Sequence, residues 1–313
     1  PRLYPGDPFA ETLPAYSAPL WWLLAGLESW IPREPLLLGF FFLEKGLLLL
    51  AGAALARAMW PKSEVALWAG AAVAAVGIPS ILGSVGKIAP PYFEQTGFAI
   101  PFFLFGFAAL VSGRRWSWSL WTAVGAWLNP MYGLYAVTYG GVAVLLIERR
   151  KTWRWLAPAA LFLVLSLPAF LFAARSSGVP ASDTSLWLTA ASARFVSHLT
   201  PLDWPVRDYV AFFFFFSLVA AFSLADNHTN RFALPAKRLG QSAVICGLAW
   251  LILAFAAVYL LKIPRLLVVH PARGTDFLYA IGAVFVAARF AVWLEGAKPE
   301  HKPANFLGLL ISL

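Results

Sequence analysis

Apolar runs of about 20 residues, the length an α-helix needs to cross a bilayer, recur through this chain of 313 residues. Inside hydrocarbon every backbone N–H and C=O must find a partner within the protein, which leaves helices or closed barrels as spanning structures. These runs are continuously apolar rather than alternating, so the pattern selects helices. The expected fold is all-α: a polytopic transmembrane helical bundle. Charged residues make up 12% of the chain, against roughly 25% in a soluble domain. The net charge of +9 comes from Lys and Arg lying between the apolar runs. Membrane orientation explains that placement, and the basic stripe that nucleic acid requires is missing, so no nucleic-acid partner is expected. The one cysteine, Cys246, lies inside an apolar run, which excludes an intrachain disulfide.

The chain reads as a single transmembrane domain over 1–313. Spans are expected at about 36–58, 65–84, 98–112, 118–147, 156–173, 209–225, 241–260 and 277–294, with another beginning near 305. Both ends read as cut. There is no initiator Met or signal peptide, and the run from 305 to 313 is too short to cross. Further spans are therefore expected upstream and downstream.

Segment 118–147 is long for one helix and short for two. Asn129-Pro130 interrupts it, and proline removes a backbone donor and breaks or kinks a helix. Arg114 and Arg115 precede the segment; Arg149, Arg150, Lys151 and Arg154 follow it. If both basic loops face the cytoplasm, the segment enters and returns as two helices joined at Asn129-Pro130. With that parity, Arg57, Lys62, Arg231, Lys237, Arg238, Lys298 and Lys302 also fall on the cytoplasmic side, in short loops. The acidic residues Asp7, Glu11, Glu28, Glu34, Glu94, Asp183, Asp203, Asp208 and Asp276 fall opposite, in the longer loops at about 1–35, 85–97, 174–208 and 261–276. Long loops carry function more often than short ones, so the working face is expected outside. Residues 16–31 are apolar, Trp-rich and short for a span, which suits an interfacial helix.

Four outer stretches combine residues able to do chemistry. Tyr4-Pro5-Gly6-Asp7-Pro8-Phe9-Ala10-Glu11 places two carboxylates in a turn-forming loop, where a carboxylate can act as a general base toward a hydroxyl. Lys87 through Glu94 offers a third acid, Glu94, and a phosphate contact in Lys87. Arg194 through Pro205 contains Arg194 and His198, which share one face if helical, and Trp204, suited to a sugar ring or the interface. Lys262 through Asp276 places Arg265, His270 and Arg273 outside, against the charge trend, which favours an anionic ligand over a structural role. Within the spans lie Glu44 and Lys45. Neighbours on a helix point about 100° apart, so these two need not pair. Intramembrane charges are functional candidates by default.

No P-loop, G-x-G-x-x-G, H-E-x-x-H or Cys/His cluster is present, which removes ATP hydrolysis by this chain. The order of features nevertheless resembles the GT-C superfamily of integral membrane glycosyltransferases, and more closely a group of bacterial multi-spanning proteins. The resemblance rests on Gly6-Asp7-Pro8, Tyr92-Phe93-Glu94, Asn129-Pro130-Met131-Tyr132-Gly133-Leu134, Arg194 through Trp204, and Pro271-Ala272-Arg273. It implies a GT-C-like bundle in the bacterial inner membrane whose active face is extracytoplasmic. Asp7 would be the base, or support metal and acceptor, with Glu11 in reserve. Arg265, His270 and Arg273 would hold the polyprenyl phosphate of a lipid-linked sugar donor. The chain departs from the pattern in having Asn129-Pro130 where His-Pro is usual, and a single His198 where a pair is expected.

The expected activity is thus transfer of a sugar from a lipid-phosphate carrier to an acceptor. A divalent metal is compatible with it, and the partners are the lipid-linked donor and membrane lipids. Two alternatives remain. A transporter or carrier flippase would use the broken segment and Glu44. A non-catalytic subunit would pack its aromatic and Gly-rich faces against a membrane protein partner.

Overall fold

The computed structural model describes residues 19–76, 93–176, 200–225, 233–263, 266 and 270–296. Among them there is no strand. The helices are α1 Pro19–Glu28, α2 Arg33–Met59, α3 Glu64–Val76, α4 Gln95–Val111, α5 Arg115–Leu128, α6 Pro130–Glu148, α7 Leu156–Ser176, α8 Val206–Leu224, α9 Ala233–Phe255 and α10 Asp276–Gly296. A 3-10 segment, Arg149–Trp155, links α6 to α7, and α9 continues as a π turn over Ala256–Leu261. Among the described residues, five helical stretches are long and apolar enough to cross a membrane: Arg33–Met59, Pro130–Ala174, Val206–Leu224, Leu234–Leu261 and Pro271–Glu295. The chain is an integral membrane protein built from apolar helices.

The apolar run 118–147 divides where the proline demands. α5 ends at Leu128, Asn129 is extended, and Pro130 opens α6 at the position where a missing N–H costs nothing. The Asn129 side chain then caps α6, accepting from the Tyr132 N–H at 3.2 Å. One residue therefore ends one helix and starts the next. At about 1.5 Å per residue, α5 is too short to span by itself.

α2 and α3 form an antiparallel pair held close by small residues. A Cβ on Gly52 would strike the α3 backbone at Gly70 and the methyl of Ala74. Small residues at such seams let backbones approach, which is how helices gain packing energy where lipid offers no hydrophobic drive. The first half of α10 is deeply buried. Phe277, Leu278, Tyr279, Ala280 and Ile281 are consecutive and all buried, so this helix is covered on every side.

α1, with 10 residues, reaches about 15 Å and cannot cross. Leu20 and Leu24 are buried on one face, while Trp22 and Leu23 are exposed. The Trp21 indole N–H donates to Gln95 Oε1 at 2.8 Å, docking α1 beside the start of α4.

The helices alternate in direction and sort the charges between two ends. One end holds Arg57, Lys62, Arg114, Arg115, Arg149, Arg150, Lys151, Arg154, Lys237 and Arg238, balanced by Glu64, Glu148 and Glu295. Its elements are cross-linked: Ser63 Oγ donates to Glu295 Oε2 at 2.5 Å, and Arg115 lies 3.5 Å from Glu148. The other end carries Glu94, Asp203, Asp208 and Asp276, together with the junction of α5 and α6.

Candidate functional site

At the acidic end, the first turns of α4, α6 and α10 meet. α6 contributes Tyr132, Tyr135 and Tyr139, spaced three and four apart, so all three lie on one helical face. None has measurable exposure. Each hydroxyl donates to the segment that leads into α10: Tyr132 to Asp276 Oδ2, Tyr135 to the His270 carbonyl at 2.9 Å, and Tyr139 to the Gly274 carbonyl at 2.9 Å. A ladder of three tyrosines thus clamps Pro271–Thr275, a short 3-10 turn, in one conformation.

That turn is tight for two further reasons. His270 adopts a left-handed backbone, φ 46° and ψ 65°, an uncommon state for a non-glycine residue that its surroundings must hold. Gly274 packs under the Trp250 indole, so closely that a Cβ would overlap the ring. Trp250 is itself fixed by a 2.9 Å bond from its N–H to Thr138 Oγ1.

Arg273 emerges from this clamped turn. Its Nε lies 3.8 Å from Asp276 Oδ2, and its guanidinium carbon is 5.6 Å from the Tyr132 ring centre. Asp276 is 3% exposed, so its charge is compensated by Arg273 and by the Tyr132 hydroxyl. Glu94, at the N-cap of α4, is close enough to both Arg273 and Asp276 to feel their charges. Burial raises the Glu94 carboxyl above the usual carboxylate value. The Asp276 charge adds to that rise; Arg273 and a hydrogen bond with Thr96 oppose it. Thr96 in turn accepts from the Asn129 side-chain amide at 3.2 Å. The residue that breaks the α5–α6 segment therefore reaches Glu94 through one intermediate.

Glu44 of α2 borders the same group. Its carboxylate is fully buried against Gly97 in the first turn of α4, where a Cβ would fall 2.8 Å from Oε1. Lys45 Nζ lies 3.0 Å from Glu44 Oε1 and 5.0 Å from the Phe41 ring centre. The pair forms because the long Lys side chain folds back along the helix, although the two Cβ positions diverge. The Glu94 backbone also interacts favourably with the Glu44 carboxylate.

His270 is held neutral. Burial and the Arg273 charge together lower it from 6.5 to about 4. At neutral pH it is uncharged.

Of the sequence candidates, Glu94, His270 and Arg273 come together here. Trp204 is 5% exposed and belongs to the hydrophobic core, with its ring 5.8 Å from that of Tyr209. Asp7, Glu11, Lys87, Arg194, His198 and Arg265 lie outside the described residues. The sequence reading did not single out Tyr132, Tyr135, Tyr139, Thr96 or Asp276 as site residues. The tyrosines carried a usable signal, since hydroxyls repeated on one face of a helix that starts at a break must find partners. Among the described residues, no three His, Cys, Asp or Glu side chains are grouped to hold a metal ion.

Comparison of the chain with protein-family models, with curated proteins and with solved structures gives no match.

Proposed function

We propose that this protein is an integral membrane glycosyltransferase of the GT-C kind. It moves a sugar from a polyprenyl-phosphate-type carrier to an acceptor hydroxyl at the extracytoplasmic face of the bacterial inner membrane. The observation that carries the reading is the meeting of Glu94 with Arg273 in a partly buried site at the acidic end of the bundle. The separate stretches behind the family resemblance supply it: Glu94, the Asn129–Tyr132 junction and Arg273.

In this reading Glu94 takes the proton of the acceptor hydroxyl. The acceptor oxygen bonds to the anomeric carbon as the bond from that carbon to the phosphate oxygen breaks. The electron pair leaves with the phosphate, and Arg273 faces the charge that develops there. A carboxyl whose proton affinity is raised by burial is better matched to this work near neutral pH than an ordinary one. Asp276 and Tyr132 hold the guanidinium, and His270 offers a neutral hydrogen bond. Asp7, Glu11, Lys87, Arg194, His198 and Arg265 are candidates to complete the site.

The test is transfer of radiolabelled sugar from polyprenyl-phosphate hexoses by the full chain in membranes. Glu94→Gln should lose about 100-fold or more of any transfer detected while the protein accumulates normally. Undiminished transfer by that variant removes Glu94 from the chemistry.

A transporter reading is favoured by one observation, the fully buried Glu44 beside Lys45 within α2. Proton or lipid-carrier flux in proteoliposomes, with no glycosyl transfer, would put it in place of the enzyme.

A further inference from the structure

At the basic end of the bundle, far along the helices from Glu94, a groove of about 680 Å³ opens between α2, α4 and α5, with Pro235 of α9 at its edge. Its charged lining residues are Arg57 and Arg114, and Ser112 and Ser117 add hydroxyls. Its wall is otherwise apolar, with Phe105 and Trp121 the large members.

The backbone fixes where Arg114 sits. α4 ends in a Schellman turn: the Gly113 N–H donates to the Leu110 carbonyl at 3.0 Å, and the Arg114 N–H to the Ala109 carbonyl at 2.8 Å. Gly113 supplies the left-handed conformation, φ 71°, that such a turn needs. These bonds satisfy the Ala109 and Leu110 carbonyls of the last turn of α4. The polar side chains that line the groove, Arg57, Arg114, Ser112 and Ser117, can all donate, which suits an anion.

Arg57 lies in the last turn of α2 and pairs with Glu64 at 2.6 Å. Both partners are well exposed, at 46% and 67%, so this pair is worth little and yields readily to a stronger anion. Arg114 makes no ion pair among the described residues. Arginine's planar fork matches phosphate oxygens better than lysine's point charge.

The apolar wall decides between a soluble and a lipid anion. Trp121, on the groove face of α5, is 39% exposed, and Leu120 and Trp116 are exposed on another face of the same helix. The groove therefore passes from two guanidinium groups to an apolar surface of the kind that faces acyl chains. A small soluble anion makes no use of that wall.

We infer that this groove is a binding site for an anionic glycerophospholipid, with its phosphate held between Arg57 and Arg114 and an acyl chain along Phe105 and Trp121. The site is independent of the Glu94–Arg273 group and of the activity proposed for it.

The test uses the purified full chain in detergent, with dioleoylphosphatidylglycerol titrated by native mass spectrometry. Dioleoylphosphatidylcholine and inorganic phosphate form the other arms. The double variant R57Q/R114Q is compared with R149Q/R150Q, which removes the same charge from the same end but outside the groove. The wild type should prefer phosphatidylglycerol to phosphatidylcholine by roughly 30-fold, as two well-placed arginines allow. R57Q/R114Q should lose that preference while R149Q/R150Q keeps it. Trp121→Ala should weaken both lipids and leave the preference.

Equal loss in the two double variants would overturn the site, because only the charge of the face would then matter. Binding of inorganic phosphate as strong as that of the lipid would overturn the lipid assignment. Both arginines are exposed, so these variants are expected to keep the wild-type thermal transition. If R57Q/R114Q does not, Arg114→Gln alone must still show a several-fold loss of preference, or the proposal fails.

Discussion

The Tyr132 hydroxyl donates to Asp276 Oδ2, joining the first turn of α6 to the first residue of α10. Both side chains are buried, at 0% and 3% exposure, and Asp276 also faces Arg273 at 3.8 Å. Tyr132→Phe removes the donor and leaves a buried carboxylate one hydrogen bond short. The expected cost is about 1–3 kcal/mol, read as a lowered thermal midpoint in detergent. Asp276→Asn should cost at least as much, because Arg273 then loses its charge partner. In the double variant the two losses should fall short of additivity, as they do for groups in one network. Strict additivity would mean that the two side chains do not act together.

Glu44 and Gly97 offer a steric test of the same region. Gly97→Ala drives a methyl to within 2.8 Å of the fully buried Glu44 carboxylate, which must shift to admit it. Overpacking of this kind costs about 1–3 kcal/mol. Glu44→Ala should recover most of that loss in the Gly97→Ala background, whereas Glu44→Gln, which keeps the volume, should not. Recovery by both would point to charge rather than space as the cause.

How much of this was legible beforehand depended on the scale of the signal. Hydrocarbon imposes helical length and apolarity on every spanning segment, so runs such as 36–58 and 277–294 announced Arg33–Met59 and Asp276–Gly296 closely. The break at Asn129-Pro130 was readable because proline leaves few choices. The capping of α6 by Asn129 and its bond to Thr96 were not, since they depend on which helix lies alongside. Glu94 and Arg273 were visible as charges in outer loops. The turn that carries Arg273 is held by the tyrosine ladder on α6, whose partners at 270–276 are set by tertiary packing. Trp204, whose type suggested a sugar platform or an interface anchor, is buried beside Tyr209, a placement that only tertiary packing sets.

Glu94 and His270 should give opposite pH dependences. The Glu94 carboxyl is raised in the folded protein, so its contribution to stability is full below the ordinary value of 4.5 and is lost as pH rises through the raised one. His270 is lowered from 6.5 to about 4. Its contribution is full above 6.5 and is lost as pH falls through about 4. Unfolding midpoints measured from pH 4 to 8 should therefore change slope when either group is replaced. Glu94→Gln should remove a loss of stability on the alkaline side, and His270→Gln a loss on the acid side. Identical pH profiles for the wild type and both variants would show that neither group titrates between the folded and unfolded states.

The sorting of charge between the two ends makes a prediction about orientation. The end carrying Arg149, Arg150 and Lys151 should face the cytoplasm, since short loops rich in Lys and Arg are retained there. Lys262, at the end of the π turn of α9, should then face the opposite side. The native Cys246 is buried, and Cys246→Ser leaves a background suited to labelling with a membrane-impermeant maleimide. In that background Lys262→Cys should react in intact cells and Lys151→Cys only after permeabilisation. The reverse pattern would invert the protein in the membrane and place the Glu94–Arg273 group on the cytoplasmic face. A lipid-linked donor would then have to be met from that side, and the proposed extracytoplasmic transfer would fail.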